Sequence, residues 1–330
     1  MQNPPMPSTT TTPAPIRFGP VPQHVLVTGG TGFIGRLLVQ QLLRDGHQVT
    51  VWTRDVAAAS RHLGTGVRCV ARLQDVAQQQ PCDVVINLAG ARILGLPWTD
   101  ARRAQLLASR EGLTNRLVDW MAGLARRPWL LVSASAVGYY GVQAPGDDTA
   151  LAEDAPPQPI FMSQLCQRWE QAALRAAPLG VEVVRLRLGV VLGRGGALPQ
   201  LLLPISLGLG GPLAGGRQWF SWVHVEDLLR AIAHTWTLAR QAHDAGQPPA
   251  TPVYNVTAPG TVRQAEFSRI AARLMHRPSL FPTPGLPLRL LLGEQADLLR
   301  KGQRVVPAAL LRSGFAFRFA DAQAALADLR

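Results

Sequence analysis

The stretch Val25-Leu-Val-Thr-Gly-Gly-Thr-Gly-Phe-Ile-Gly35 constrains this chain more than any other, because an apolar run is followed at once by four closely spaced glycines. Gly29, Gly30, Gly32 and Gly35 satisfy G-x-G-x-x-G in one register and T-G-x-x-G-x-x-G in another. Glycine permits a tight turn and lets backbone approach a pyrophosphate, whose charge then sits at the amino end of the following helix. Such a match means little without context, since glycine turns after strands are common. Here a β-type run precedes it, an amphipathic helix follows it (Phe33, Ile34, Leu37, Leu38, Leu42), and a second apolar run lies at Val49-Thr-Val-Trp52. The turn predicts a dinucleotide cradle of Gly29, Thr31, Gly32, Phe33, Ile34 and Gly35; the competing reading is a purely structural turn in an α/β sheet.

With 330 residues, 47% of them hydrophobic, the chain can bury one large α/β core or a core plus a smaller lobe. Residues 1–22 are expected to form a disordered tail: Met1 to Pro20 is rich in Pro and Thr and lacks the apolar centre of a signal peptide or anchor. No run approaches the ~18 apolar residues of a spanning helix. Cys69, Cys82 and Cys166 are an odd, scattered set without metal-ligand spacing, which predicts no metal and fits a reducing cytoplasm. The formal charge of +12 raises nucleic acid as a partner. Arginines are spread along the whole chain, however, and no aromatic-plus-basic RNA motif occurs, so neither nucleic acid nor membrane is expected to bind. Lys301 is the sole lysine.

From His24 onward the pattern alternates as βα units do: strands at His24–Thr28, Gln48–Thr53, Val67–Val70, Asp83–Asn87, Trp129–Ser133 and Val181–Leu188, with helices at Phe33–Arg44, Thr99–Arg126 and Phe161–Ala176. The fold class is therefore α/β, a Rossmann-type doubly wound parallel sheet over residues 23–190. Residues 191–330, richer in Gly and Pro, are expected to form a smaller α+β substrate lobe, with 217–256 partly returning to the first domain. Short elements are expected at Val253–Val256, Gln264–Met275, Pro287–Arg300 and Phe315–Phe319.

Several residues carry candidate chemistry. Arg54 lies nineteen positions beyond Gly35, where the side chain ending the second strand reads the adenosine ribose. A carboxylate there accepts from the 2′-hydroxyl of NAD, whereas a guanidinium holds the 2′-phosphate of NADP bidentately, assisted here by the Thr53 hydroxyl. Asp55 restores an NAD reading if the register slips by one. Asn87 and the small residues Leu88, Ala89 and Gly90 end the fourth strand, where backbone can approach the cofactor; core packing explains them equally. Ser133, Ser135, Tyr139 and Tyr140 place hydroxyls beyond the next strand, as substrate binding requires.

These motifs resemble those of extended short-chain dehydrogenase/reductases, the class of nucleotide-sugar epimerases and dehydratases. More closely, Ser133-Ala-Ser-Ala-Val-Gly-Tyr-Tyr-Gly, Gly189-Val-Val-Leu-Gly, Leu207-Gly-Leu-Gly-Gly-Pro, Gln218-Trp-Phe-Ser-Trp-Val-His and Gly302-Gln-Arg-Val-Val-Pro are similar to one atypical branch, the "epimerase family" proteins. Its members are named nucleoside-diphosphate-sugar-epimerase-like or cell-division-inhibitor-like, and they carry a carboxyl-terminal domain of unknown function. The resemblance implies NADP, a small-molecule substrate of unknown identity, and a homodimer paired through two long helices. It also exposes a gap. The wider superfamily uses a Tyr and a Lys four residues apart on one helix, and the matching positions here are Met162 and Cys166. A free phenol titrates near ~10, so Tyr139 or Tyr140 without a cationic neighbour would be a poor base. Ser135 falls at the family's substrate-binding serine and would polarise a carbonyl, with a tyrosine donating the proton. Arg110 replaces an asparagine near the cofactor and reaches either the cofactor's phosphates or the substrate, or else an ion-pair partner such as Glu111. Cys166 reads as a packed thiol and His224 as the residue leading into a helix, not as an acid or base. Trp219, Trp222 and Gly208-Leu-Gly-Gly-Pro212 would line a substrate pocket or dock a partner. The function expected is an NADP-dependent oxidoreductase or epimerase acting on a hydroxyl or carbonyl; the alternative is an NADPH-binding regulatory or redox-sensing protein without catalysis.

Overall fold

The computed structural model describes residues 15–279 and 300–330, except Gln79, Leu94, Leu96, Pro97 and Pro145. Six strands follow the expected order: β1 (His24–Thr28), β2 (Gln48–Trp52), β3 (Val67–Val70), β4 (Val84–Asn87), β5 (Leu130–Ala136) and β6 (Glu182–Leu188). Beyond them lie β7 (Val190–Leu192), β8 (Trp219–Phe220), β9 (Trp222–His224), β10 (Val253–Val256) and β11 (Val262–Arg263). The main sheet is parallel throughout and runs β10-β6-β5-β4-β1-β2-β3. The order in which strands are added reverses between β1 and β4, and a crevice opens beyond their carboxyl ends, where open α/β sheets take ligands.

Alternation along the strands explains the two layers. Val25, Val27, Val84, Ile86, Leu130 and Val132 face one side, against α1 (Phe33–Arg44) and the later helix Val225–Asp244. Leu26, Val85, Leu131 and Val183 face the other, against Leu117 and Met121. Both faces are covered, so β1 is buried at every position and reads as a continuous apolar run. A third cluster, with Leu198, Trp222, Phe267 and Leu326, forms the core of the smaller lobe.

Several expectations need correction. Residues 15–22 are built into the fold: Phe18 is fully buried, its N–H bonds to the Asp45 carboxylate, and its ring meets Trp236 edge-on at 5.9 Å. Residues 1–14 lie outside the described residues. The connection after β2 contains α2 (Val56–Leu63), capped by Asp55, whose carboxylate accepts from Ala58 N–H at 2.9 Å. The expected long helix is α3 (Asp100–Leu107), a wide π turn (Ala108–Gly112) and α4 (Leu113–Ala122) in succession. Next come α5 (Phe161–Leu174), α6 (Leu198–Ser206), α7 (Val225–Asp244), α8 (Gln264–Leu274), α9 (Ala308–Arg312) and α10 (Ala322–Asp328). Phe315–Phe319 forms no regular element; the N–H groups of Arg318 and Phe319 instead bond to the Asp227 carboxylate, each at 2.9 Å. Most of the element expected at Pro287–Arg300 falls outside the described residues. Trp222 is fully buried, with its indole N–H on the Gly260 carbonyl, so it cannot line an open pocket. No described helix is long and apolar enough to cross a membrane, and no described group of His, Cys, Asp and Glu could hold a metal.

Candidate functional site

A groove of about 550 Å³ opens over the carboxyl ends of β1, β2 and β4. The glycine turn forms its floor through Gly29, Gly30, Thr31 and Gly32, Thr53 and Arg54 border one end, and Leu88, Ala89 and Gly90 form the facing wall. Local geometry explains the glycines. Gly29 has φ +69°, and a Cβ there would stand 2.8 Å from the Leu88 carbonyl carbon. A Cβ on Gly35 would overlap the Gly29 carbonyl oxygen, so helix α1 packs directly on the turn. The turn is tied across the switch point: Thr28 Oγ1 donates to Asn87 Oδ1 at 2.6 Å and accepts from Ala89 N–H at 3.2 Å. Asn87 Nδ2 then donates to Thr114 Oγ1 at 2.9 Å, fixing the end of β4 to α4.

Arg54 is exposed at the groove's edge, and no carboxylate among the described residues pairs with it. Asp55 caps α2 through Oδ1, which accepts from Ala58 N–H, while its carboxylate remains exposed. Thr53 Oγ1 accepts from Asp55 N–H at 3.3 Å. Phe33 and Ile34 do not line the groove. The Phe33 ring packs beneath Gly195 and Gly196, where an added Cβ would come within 2.8 Å of it, and Ile34 packs on the core. Their contribution to the cradle is limited to backbone.

Sequence reasoning misses several lining residues, among them Trp52, Gln105, Ser109, Leu113 and Arg116. Gln105, Ser109, Leu113 and Arg116 recur at helical spacing, a signal that the sequence does carry. The Arg116 guanidinium lies 5.2 Å from the Trp52 ring centroid, and both it and Arg54 line the groove.

Arg110 does not form the expected ion pair with Glu111. Glu111 pairs with Arg168 at 2.8 Å, while Arg110 lies buried behind Gly90, donating to the Ala91 carbonyl at 3.0 Å and to Ser109 Oγ at 3.3 Å. Its guanidinium stands 5.2 Å from the Trp169 ring, and burial pushes its pKa down to about 10.

Beyond β5 the hydroxyls are drawn into a buried ionic network. β5 runs further than expected and includes Ser135, whose Oγ donates to Glu170 Oε1 at 2.8 Å. Glu170 also accepts from Arg187 Nε at 2.8 Å, Arg187 Nη2 at 3.0 Å and Arg185 Nη1 at 3.1 Å. Burial opposes the charge on both arginines. It lowers the pKa of Arg185, whereas the bonds and charge of Glu170 more than offset it at Arg187, whose pKa stands above its ordinary value. Tyr140 is 1% exposed; its hydroxyl donates to Asn255 Oδ1 at 2.7 Å and accepts from Arg187 Nη1 at 2.9 Å, and burial pushes its pKa up to about 12. Ser135 and Tyr140 are thus held as internal ties, which corrects their expected placement at an open substrate site. Tyr139 differs: it is half-buried, its ring centroid lies 3.4 Å from the Arg187 guanidinium carbon, and its hydroxyl has no partner among the described residues.

Met162 and Cys166 lie on α5 and pack beneath Gly138, where an added Cβ would stand 3.2 Å from Met162 Cε and 3.7 Å from Cys166 Sγ. Apolar packing fills the positions that a tyrosine and lysine occupy in the wider superfamily. Burial pushes the thiols of Cys82 and Cys166 up to about 12, while Cys69 is half-exposed. At a pH of about 8 iodoacetamide is therefore expected to modify Cys69 alone in the native protein, with Cys82 and Cys166 reacting only after unfolding. Peptide mass spectrometry after a timed quench reads this; alkylation of native Cys166 would overturn its burial. His224 caps α7, its Nδ1 accepting from Glu226 N–H at 3.1 Å, in keeping with its position before the helix.

Comparison with known proteins agrees with this architecture. The model of the NAD dependent epimerase/dehydratase family matches residues 25–256, and that of a domain of unknown function, DUF1731, matches residues 283–329. The epimerase family protein YfhF of Bacillus subtilis is 35% identical over 307 residues, covering 93% of this chain and 97% of its own length. Mouse epimerase family protein SDR39U1 is 36% identical over 311 residues, covering 93% and 99%. Among solved structures, human SDR39U1 (isoform 2) with NADPH superposes with a TM-score of 0.79 at 33% identity, covering 93% of this chain and 98% of that one. A UDP-galactose 4-epimerase, 19% identical with a TM-score of 0.69, shares the fold. The chain belongs to the NAD-dependent epimerase/dehydratase family and is similar over nearly its whole described length to proteins named epimerase family proteins.

Proposed function

We propose that this chain binds NADP(H) in the groove over β1, β2 and β4 and either reduces a small carbonyl compound with NADPH or, with NADP+, epimerises a hydroxyl carbon by transient oxidation and re-reduction. The observation that carries the cofactor assignment is Arg54, which lines the groove's edge with no carboxylate partner among the described residues. A guanidinium at the groove's edge suits a 2′-phosphate, and Arg116 adds a second positive charge to the same groove. The human relative solved with NADPH supports the same reading. Bound there, the nicotinamide supplies a hydride donor or acceptor. The residues of this chain then position it: the glycine turn holds the pyrophosphate through backbone N–H groups at the start of α1, and Gly90 leaves room for close approach. Tyr139, whose hydroxyl has no partner among the described residues and whose ring lies over Arg187, is the proton donor to the substrate oxygen. Ser135 acts indirectly, by holding Glu170 and so Arg187 in place.

Arg54→Ala is expected to weaken NADPH binding about 10–100-fold, the loss of one or two charge-assisted hydrogen bonds, and to leave NADH binding nearly unchanged. Calorimetric titration with both nucleotides reads the difference; equal losses for the two would remove Arg54 from the 2′-phosphate site. Turnover is then sought as NADPH oxidation against carbonyl compounds and nucleotide sugars, with Tyr139→Phe as the variant that should abolish it. A second reading, an NADPH-binding regulatory protein, draws on Met162 and Cys166 filling the usual catalytic positions. Tight NADPH binding without turnover across that panel would favour it.

A further inference from the structure

A second and larger cavity lies away from the cofactor groove and shares no lining residue with it. It measures about 920 Å³ and is bounded by α1, the amino end of α7 and the carboxyl-terminal residues. Phe33, Leu37 and Leu229 give it an apolar floor. Its wall carries six arginines against three carboxylates. Some of that charge is internally matched: Glu226 bonds to Arg230 at 2.8 Å and also pairs with Arg318 at 2.6 Å. Arg36 and Arg194 have no carboxylate partner among the described residues.

The independent observation is His224, which lines this cavity and is only 2% exposed. Its Nδ1 accepts a hydrogen bond from Glu226 N–H, so the neutral ring carries its proton on Nε2. That Nε2 has no hydrogen-bond partner. The Asp328 carboxylate stands 3.4 Å away, within ion-pair range but without hydrogen-bond alignment. A buried donor whose nearest acceptor is a partly exposed, poorly aligned carboxylate is under-satisfied, and a better-placed acceptor in the cavity would stabilise it.

We propose that this cavity is a second ligand site, for an amphiphilic anion whose phosphate or carboxylate head accepts from His224 Nε2–H and pairs with Arg36 and Arg194. The apolar body of the ligand lies along Phe33, Leu37 and Leu229. Phe33 opens the helix that carries the glycine turn, so an occupant here touches the back of the cofactor cradle without entering it.

The test uses the full chain saturated with NADPH and titrated by calorimetry with octyl phosphate and octanoate, with octanol and inorganic phosphate as the separate halves. Saturable binding of one equivalent of a charged probe is expected, at least tenfold tighter than octanol or phosphate alone. His224→Asn keeps a capping acceptor for α7 but removes the buried N–H, and it should weaken the probe at least tenfold. The double variant Arg36→Gln/Arg194→Gln, at two exposed positions, should do the same without disturbing the core. NADPH affinity should stay within twofold in both variants. A preference for octyl phosphate over octanoate, or the reverse, identifies the head group. The proposal is overturned by non-saturable binding, by equal affinity in parent and variants, or by displacement of NADPH, which would put the probe in the cofactor groove. A parent that binds no NADPH would instead overturn the cofactor assignment, and the probe titration of the free protein would still decide this site.

Discussion

Glu170→Ala is expected to destabilise the fold by roughly 3–5 kcal/mol, the range for removing one partner of a buried ion pair. The reason lies in the geometry of β6 and α5. Arg185 and Arg187 alternate along β6 and therefore point to the same face, where Glu170 on α5 accepts from both. Its side chain is 4% exposed and that of Arg187 is 3% exposed, so water cannot replace the lost carboxylate. Ser135 would also lose its acceptor. Glu170→Gln keeps one acceptor oxygen and should cost less than Glu170→Ala. Combining Glu170→Ala with Arg187→Met should recover part of the loss, since the stranded charge is then removed too. Urea unfolding of the three variants measures these differences. A loss below about 1 kcal/mol for Glu170→Ala would mean that both guanidinium groups find other partners, and the network would not then be what holds Tyr139 over Arg187.

That network also shows where the sequence is legible and where it is not. The main strands can be read directly, because parallel strands covered on both faces must be continuously apolar, as Val25 to Val27 and Val84 to Ile86 are. The groove is legible for a related reason: glycines at these spacings after a strand leave few alternatives once Gly29 needs φ +69°. Burial of individual polar side chains is not legible. Ser135 and Tyr140 look like substrate-binding hydroxyls until Glu170 and Arg187 arrive from elements 35 and 47 residues away along the chain. The alternation of Arg185 and Arg187 with Val184, Leu186 and Leu188 is the available sign of a buried charge awaiting a partner. Trp222 reads as exposed because it stands in a Gly-rich, aromatic stretch, yet the smaller lobe closes over it. Phe18 is hidden by its Pro-rich surroundings, which suggest disorder although one aromatic ring anchors the segment against Trp236 and His47. Helix α2 leaves little trace in the sequence because its eight residues bury only Ala59, too little for an apolar period to show.

Gly35→Ala is expected to reduce nucleotide affinity at least 100-fold, a larger loss than removing Arg54. The added methyl would overlap the Gly29 carbonyl oxygen and stand 2.7 Å from Gly30 Cα, and both obstacles are backbone. Neither can move aside as a flexible side chain would. Helix α1 must therefore shift away from the turn, and its amino-terminal N–H groups leave the line along which they would meet a pyrophosphate. Overpacking of this kind costs roughly 1–3 kcal/mol, well short of unfolding a sheet buried on both faces. Circular dichroism should accordingly show retained helix and strand while calorimetry shows NADPH and NADH weakened alike. That last point separates the two variants: Arg54 discriminates between the nucleotides, whereas Gly35 serves the pyrophosphate they share. Selective loss of NADPH in Gly35→Ala would place the 2′-phosphate, not the pyrophosphate, at the head of α1, and the orientation proposed for the cofactor would have to be reversed.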